Sequence, residues 1–298
     1  MPTRPEGIHE HDTMTDELTL RRRFYAEELE VVCNIRNRAL VDALAAVPRE
    51  RFLRPGPWLI RGEGDFGGPP RQTPDADPRH VYHNVSIAID ASRELFNGAP
   101  GVVVLWIDAL APKPGDRVLH VGCGLGYYSS LVAHCVGPTG RVVAIEIDEA
   151  LVTEARANLT GLGGIEVVRG DGSDTRGEAF DAILVNVGVT HPLDAWLEAL
   201  KPGGRLVLPL TCTMGSNVGK GFVLLISASG EGEAMDVRVI TMVAVYSAAG
   251  IRDRTMNDRL GKAFMRGPWP SIKRLRRDSH EASPSCWLHG DSFCLSAT

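Results

Sequence analysis

Between residues 117 and 208 the chain alternates short, largely apolar runs with longer stretches whose apolar positions recur every three or four residues. The runs at 117–121, 141–145, 165–168, 182–185 and 205–208 are rich in valine, leucine and isoleucine. Continuous runs of this kind predict parallel strands covered on both faces. The stretches at 127–136, 149–158 and 193–200 predict crossover helices; in the second, Leu151, Ala155 and Leu159 share one face and Asp148 is placed to cap the N-terminus. Such an alternation predicts an open α/β sheet. After Pro209, two strand-like runs at 222–227 and 237–246 flank Gly230-Glu231-Gly232, which predicts an antiparallel hairpin.

The N-terminal third reads differently. Leu40, Leu44 and Val47 form a helical stripe within 38–47 that Pro48 ends. Residues 62–78, rich in Gly, Pro and Asp, predict a long loop. Residues 81–89 alternate with period two and predict a half-buried strand, and 102–110 predicts a helix stopped by Pro112 and Pro114. Residues 1 to about 18 lack hydrophobic periodicity, so a mobile arm is expected over 1–30. The remaining division expected is a helical and strand subdomain shaping the ligand site over 31–100, a main domain over 101–248, and a C-terminal extension over 249–298. That extension reads as a basic, weakly helical stretch followed by a compact tail at 286–290.

Composition narrows the function classes. With 298 residues, 44% hydrophobic and 23% charged, the chain can bury a large core. Its net charge of −5 gives no basic field for tracking phosphates, so no nucleic-acid partner is expected. The local runs Arg21-Arg22-Arg23 and 273–277 read as solvated faces. No apolar run reaches the roughly 18 residues of a membrane span, and residues 1–30 lack the apolar centre of a signal peptide. Six scattered cysteines without a C-x-x-C read as reduced thiols, which predicts a cytoplasmic protein.

Candidate chemistry centres on Gly122-Cys123-Gly124-Leu125-Gly126-Tyr127, directly after the first parallel strand and before a helix. Glycines there allow a tight turn and close approach of a ligand to backbone N–H groups. Glu146 ends the second strand and can accept hydrogen bonds from ribose hydroxyls; Gly170-Asp171-Gly172 follows the third and can receive an adenine amino group. All three fall at carboxyl ends of neighbouring strands, where open α/β sheets bind ligands. Together with the turn Lys201-Pro202-Gly203-Gly204, they resemble the class I S-adenosylmethionine-dependent methyltransferases.

The resemblance narrows further. Residues 41–52, a helix ending in Val47-Pro48-Arg49 and then Phe52, look like the N-terminal signature of protein-L-isoaspartate O-methyltransferases. Residues 82–89, 118–128, 170–172, 180–183 and 200–209 are similar to that family in the same order, so the likeness runs from about 33 to 246. It implies a Rossmann-like class I methyltransferase fold, with a mostly parallel central sheet, an antiparallel C-terminal hairpin and N- and C-terminal extensions. It also implies S-adenosyl-L-methionine as donor, with S-adenosyl-L-homocysteine as product. The implied cofactor residues are Val121, Gly122, Cys123, Gly124, Gly126, Tyr127, Glu146, Ile147, Gly170, Asp171, Gly172 and Asn186.

On the acceptor side the chain departs from the family. A Ser-x-Pro motif is expected before the first strand of the sheet, whereas this chain has Asn97-Gly98-Ala99-Pro100. The serine position is Gly98, or Asn97 if the register shifts by one. With these two, His191 is a candidate catalytic residue, as a base for an acceptor that must lose a proton; His83 is a further candidate base. A carboxylate needs no base, and a carboxylate of a protein, peptide or small molecule is the first expectation. The alternatives are a small-molecule hydroxyl or nitrogen, and a protein that keeps the cofactor pocket without catalysis. His280, Cys286, His289 and Cys294 can be assembled on paper into four ligands, but their spacing matches no strong pattern and no metal is expected.

Overall fold

The computed structural model describes residues 8–62, 68–213, 217–228, 234–267 and 271–298, with side chains from residue 17 onward. Two compact units, residues 1–104 and 105–298, divide inside one helix. The predicted hairpin turn at 230–232 and the first seven residues lie outside the described residues.

The first unit begins with α1 (Ile8–Cys33) and α2 (Arg38–Ala46). Helix α1 occupies most of the segment where a mobile arm is predicted. The reason is a narrow apolar stripe: Tyr25, Ala26, Leu29 and Cys33 are buried along one face, while the charged positions around them mask the periodicity. Helix α2 follows its predicted bounds closely; the Asn37 side chain accepts from Leu40 N–H, and Leu40, Val41, Ala43 and Leu44 are buried. Strands β1 (Leu59–Gly62), β2 (Arg71–Gln72), β3 (Val85–Asp90) and β4 (Leu95–Phe96) form an antiparallel sheet in the order β2-β1-β3-β4.

Strand β3 starts four residues later than the alternation predicts, because Arg49 intercepts its backbone. The guanidinium is fully buried and donates from Nη1 to the carbonyls of Val81 (2.7 Å) and His83 (3.0 Å) and from Nη2 to Val85 (2.7 Å). Residues 78–81 consequently form a 3₁₀ turn. Tyr82, polar in the alternation, is buried edge-on against Tyr25, with ring centroids 5.7 Å apart, and its hydroxyl donates to the Glu50 carboxylate.

Helix α3 (Pro100–Leu110) carries the division between the units. Beyond it the elements run β5 (Arg117–Val121), α4 (Tyr127–Val136), β6 (Arg141–Glu146), α5 (Glu149–Leu159), β7 (Ile165–Arg169), β8 (Phe180–Val185), α6 (Asp194–Glu198) and β9 (Leu200–Cys212). They continue with β10 (Val218–Ser227), β11 (Ala234–Tyr246), α7 (Arg254–Arg266), β12 (Arg274–Arg276), β13 (Cys286–His289) and β14 (Cys294–Ser296). One ten-stranded sheet results, ordered β13-β14-β12-β11-β10-β9-β8-β5-β6-β7. Strands β9, β8, β5, β6 and β7 pair in parallel, and β10 to β14 add antiparallel strands on the other side of β9.

The predicted Rossmann-like sheet and antiparallel hairpin are therefore present, and the C-terminal extension adds three short strands to the same sheet. At the start of β9 the register jumps: Leu200 faces Phe180 and Arg205 faces Ala182, so Lys201-Pro202-Gly203-Gly204 forms a bulge, with Gly203 at φ +75°. Helix α7 buries Met256, Leu260 and Ala263, and Phe264 and Trp287 meet Phe222 of β10 in an aromatic cluster with centroids 5.1–5.6 Å apart. At the far edge, β7 carries Glu166, paired with Arg141 and with Arg176 (3.0 Å), and Arg169, paired with Glu149 (3.1 Å). Among the described residues no helix is long and apolar enough to cross a membrane.

Candidate functional site

In the second unit β5 and β6 run side by side, and the glycine loop leaves β5 where Glu146 ends β6. Asn186 follows β8, the other neighbour of β5, at the point where the strand order reverses. Gly122 adopts φ +78°, and a Cβ there would lie 2.6 Å from Val187 Cγ1. A larger residue would therefore be strained and would also collide with the chain leaving β8. Gly122 and Cys123 both donate their N–H to the Ile145 carbonyl, and Asn186 donates its N–H to Val121. The loop is thus tied to the strand on each side of β5.

Glu146 is buried, and its carboxylate is already organised by backbone. Oε2 accepts from Gly124 N–H at 2.9 Å, and Oε1 accepts from Ile147 (2.9 Å) and Asp148 (3.1 Å). A carboxylate offers about four lone-pair sites, so each oxygen can accept from a hydroxyl as well. The next residue, Ile147, is an apolar side chain left 43% exposed at the lip. Asp148 then caps α5, accepting from Ala150 and Leu151.

Asp171 lies at the neighbouring strand end, after β7. The Ser173 hydroxyl (2.6 Å) and N–H (2.9 Å) both donate to its Oδ1, and these bonds hold the carboxyl below the ordinary aspartate range. Gly172 beside it has φ +84°, and a Cβ there would meet Val121 Cγ1 at 2.5 Å. Its carbonyl accepts from Trp196 Nε1 at 2.6 Å, a fully buried bond that pins the Gly170-Asp171-Gly172 turn from below. Nothing in the local spacing identifies Trp196 in advance, since its partner is a main-chain oxygen 24 residues away.

These residues fit the adenosine half of S-adenosylmethionine: a cradle that tolerates no Cβ at Gly122, an organised carboxylate at Glu146, an exposed apolar face at Ile147 and an ionised acceptor at Asp171. The structure brings Val121, Gly122, Cys123, Gly124, Glu146, Ile147, Gly170, Asp171, Gly172 and Asn186 to the carboxyl edge of the parallel strands, with Gly126 and Tyr127 opening α4. Cys123 is an inert wall of this site. Burial pushes its thiol well up, and the Glu146 carboxylate adds to the effect.

His120, within β5, was not singled out by the sequence. It is fully buried, with Nδ1 2.8 Å from Ser129 Oγ of α4, and burial depresses its pKa to about 3. The unfolded chain takes up a proton near pH 6.5 that the folded chain refuses. Stability from this group is therefore complete above pH 6.5 and is lost as pH falls below it. Between pH 7.5 and 5 the loss amounts to about 2 kcal/mol, a figure set by the unfolded value so long as the folded one lies well under 5. Urea titrations at the two pH values should show this slope in the natural chain. His120→Gln, which cannot titrate, should flatten it; an unaltered slope would remove His120 as its source.

Each acceptor-side candidate has its own local contacts. His191 has Thr190 Oγ1 2.9 Å from its Nδ1 and stacks on Phe293 at 6.3 Å between centroids; burial lowers its pKa, against the opposing pull of Asp253 and Asp194. In the first unit, Asn97 uses its side chain on the backbone, accepting from Ile87 N–H at 2.7 Å while its own N–H donates to Ile87 carbonyl. Gly98 separates it from the start of α3, where Gly101 N–H donates to Asn84 Oδ1 at 2.7 Å. His83, expected within a half-buried strand, is exposed and lies before β3, and its carbonyl is held by Arg49. The displacement has the same cause as the late start of β3.

Residues 71–222, about half of the chain, match the family described as Protein-L-isoaspartate(D-aspartate) O-methyltransferase. A protein-L-isoaspartate O-methyltransferase of Methylorubrum extorquens is 38% identical over 212 residues, covering 70% of this chain and 79% of the relative. One from Pyrobaculum neutrophilum is 30% identical over 222 residues, covering 73% and 93%. Among solved structures, a protein-L-isoaspartate O-methyltransferase superposes with a TM-score of 0.61 at 21% identity, covering 80% of this chain and 69% of that one. At that identity the last likeness speaks for the fold.

Proposed function

The chain belongs to the protein-L-isoaspartate O-methyltransferase family, and we propose that it methylates a carboxylate, on an altered aspartyl residue of a protein or peptide or on a small molecule. It is an S-adenosylmethionine-dependent methyltransferase. The observation that supports a carboxylate acceptor is the match to protein-L-isoaspartate O-methyltransferases, and three titratable side chains around the glycine loop are poorly placed to act as a base. His120 is buried, depressed and bonded to Ser129; the Cys123 thiol is pushed up; and Glu146 is committed to three backbone N–H groups. A carboxylate is already ionised near neutral pH and needs only to be held in line.

The bound cofactor supplies an electrophilic methyl group on a sulfonium. The chain's own residues do the holding. Glu146 offers its remaining lone pairs to the two ribose hydroxyls, and Asp171 offers an oxygen to the adenine amino group. Ile147 covers an apolar edge of the base, and the glycine loop admits the sugar and amino-acid portions close to the backbone. Preorganisation by backbone N–H groups and by Trp196 means that little side-chain entropy is lost on binding.

A second reading rests on His191. Burial keeps its imidazole neutral at ordinary pH, and a neutral imidazole can accept a proton from a hydroxyl or amine. Transfer of radiolabelled methyl groups separates the two. Label released by mild base as methanol marks an ester; base-stable label, abolished by His191→Ala, marks the second reading and overturns the first. At the position where the family resemblance implies a serine, neither Gly98 nor Asn97 has a hydroxyl, so an isoaspartyl peptide belongs in the assay alongside free carboxylates. The described cysteines are free thiols, which supports a cytoplasmic location, and no nucleic-acid or membrane partner is proposed.

A further inference from the structure

Three consecutive pieces of the C-terminal extension place His280, Cys286, His289 and Cys294 around one point. One ligand-type atom from each lies within 4.8 Å of all the others. Cys286 and His289 come from β13 and Cys294 from β14, which pair antiparallel with His289 opposite Cys294; His280 arrives from the segment before β13. The spacing, with five, two and four residues between successive members, is too irregular for the sequence to announce. We propose that these four side chains form a tetrahedral zinc site that fastens the end of the chain to the sheet.

The geometry suits the ion. Zinc–sulfur bonds of about 2.3 Å and zinc–nitrogen bonds of about 2.0–2.1 Å put ligand atoms about 3.3–3.8 Å apart in a tetrahedron. Cys286 Sγ and His280 Nε2 already stand 3.5 Å apart. Outer partners are also in place. His280 Nδ1 is 2.9 Å from the Asp278 carbonyl, the bond that fixes a ligating histidine in the tautomer with Nε2 free. Ser283 N–H reaches Cys286 Sγ at 3.4 Å, suited to a thiolate.

A second observation points to a missing ligand. Nδ1 of His289 is buried and has no hydrogen-bond partner among the described residues. Two thiolates and two neutral imidazoles around a divalent ion sum to zero charge, so a partly buried site carries no net electrostatic burden. Soft sulfur with imidazole in a closed four-ligand set favours zinc over the harder divalent ions, which select oxygen ligands.

The full chain, purified without added metal or chelator, should carry one zinc per molecule by elemental analysis. Stripping the metal should lower the thermal unfolding midpoint, and zinc should restore it. Cobalt titrated into the stripped protein should saturate at one equivalent, with intense visible bands of a tetrahedral site and sulfur-to-cobalt charge transfer. The double variant Cys286→Ser, Cys294→Ser should lose zinc affinity about 100-fold or more while still binding S-adenosylhomocysteine. If that variant does not fold, the cobalt spectrum of the natural chain decides alone. A weak octahedral spectrum, stoichiometric copper or iron instead of zinc, or a Cys286–Cys294 disulfide found by mass spectrometry would each overturn the proposal.

Discussion

Replacing Glu146 by glutamine should weaken S-adenosylhomocysteine binding about 100-fold, or about 2.7 kcal/mol, in a chain that remains folded. Three backbone N–H groups converge on its two oxygens. An amide in the same place turns one acceptor into a donor that faces N–H groups and removes the charge that strengthens every bond to it. Two effects then combine: the ribose hydroxyls lose a charged acceptor, and the Gly124 turn loses the anchor that shapes the loop. Isothermal titration measures the first, and amide exchange at residues 122–126 reads the second. A loss of less than fivefold, with the loop unchanged, would mean that the carboxylate serves neither purpose.

The second large effect is expected in the first unit. Arg49→Met should destabilise that unit by about 4 kcal/mol, against a total of about 5–15 kcal/mol for a typical domain. The replacement fills much of the same space but supplies no donor to Val81, His83 and Val85. Orphaned buried carbonyls cost about 1–3 kcal/mol each. The His83 carbonyl belongs to an exposed residue and can be rehydrated, so Val81 and Val85 carry most of the cost. Accelerated amide exchange at Ile87 and Ile89, with strands of the second unit protected as before, would locate the damage. Arg49→Lys should fall between, since one ammonium keeps the charge but cannot span three carbonyls. Uniform exchange in Arg49→Met and the natural chain would show that the clamp contributes little.

What the sequence makes legible depends on where a side chain finds its partner. Four of the five parallel strands were readable because burial leaves largely apolar runs, the edge strand β7 was readable from Ile165, Val167 and Val168 despite Glu166, and the cofactor loops were readable because glycines, Glu146 and Asp171 follow those runs directly. Helix α2 was readable from its stripe and its proline stop. The long-range contacts were not. Arg49 looks like a surface arginine until Val81 to Val85 folds over it, and His120 is an ordinary strand residue until Ser129 closes above it. Trp196 resembles any core tryptophan, yet its indole N–H fixes the turn that presents Asp171. The alternation over residues 81–89 overstated a strand because period two records which residues are apolar and says nothing about whether a side chain has already taken the carbonyls. The short strands β12 to β14 are too brief to show any period.

Charge on β7 bears on strand pairing between molecules as well as on folding. A ten-stranded sheet has only two open edges, and each is a place where another chain could add a strand. At the β7 edge, Glu166 between Arg141 and Arg176, and Arg169 with Glu149, set alternating charges along a five-residue strand. An incoming backbone would have to desolvate those pairs before forming a single hydrogen bond. At the other edge β13 is only four residues long and offers little ladder to copy. Each open edge is therefore either charged or short, and both features disfavour pairing with a further strand.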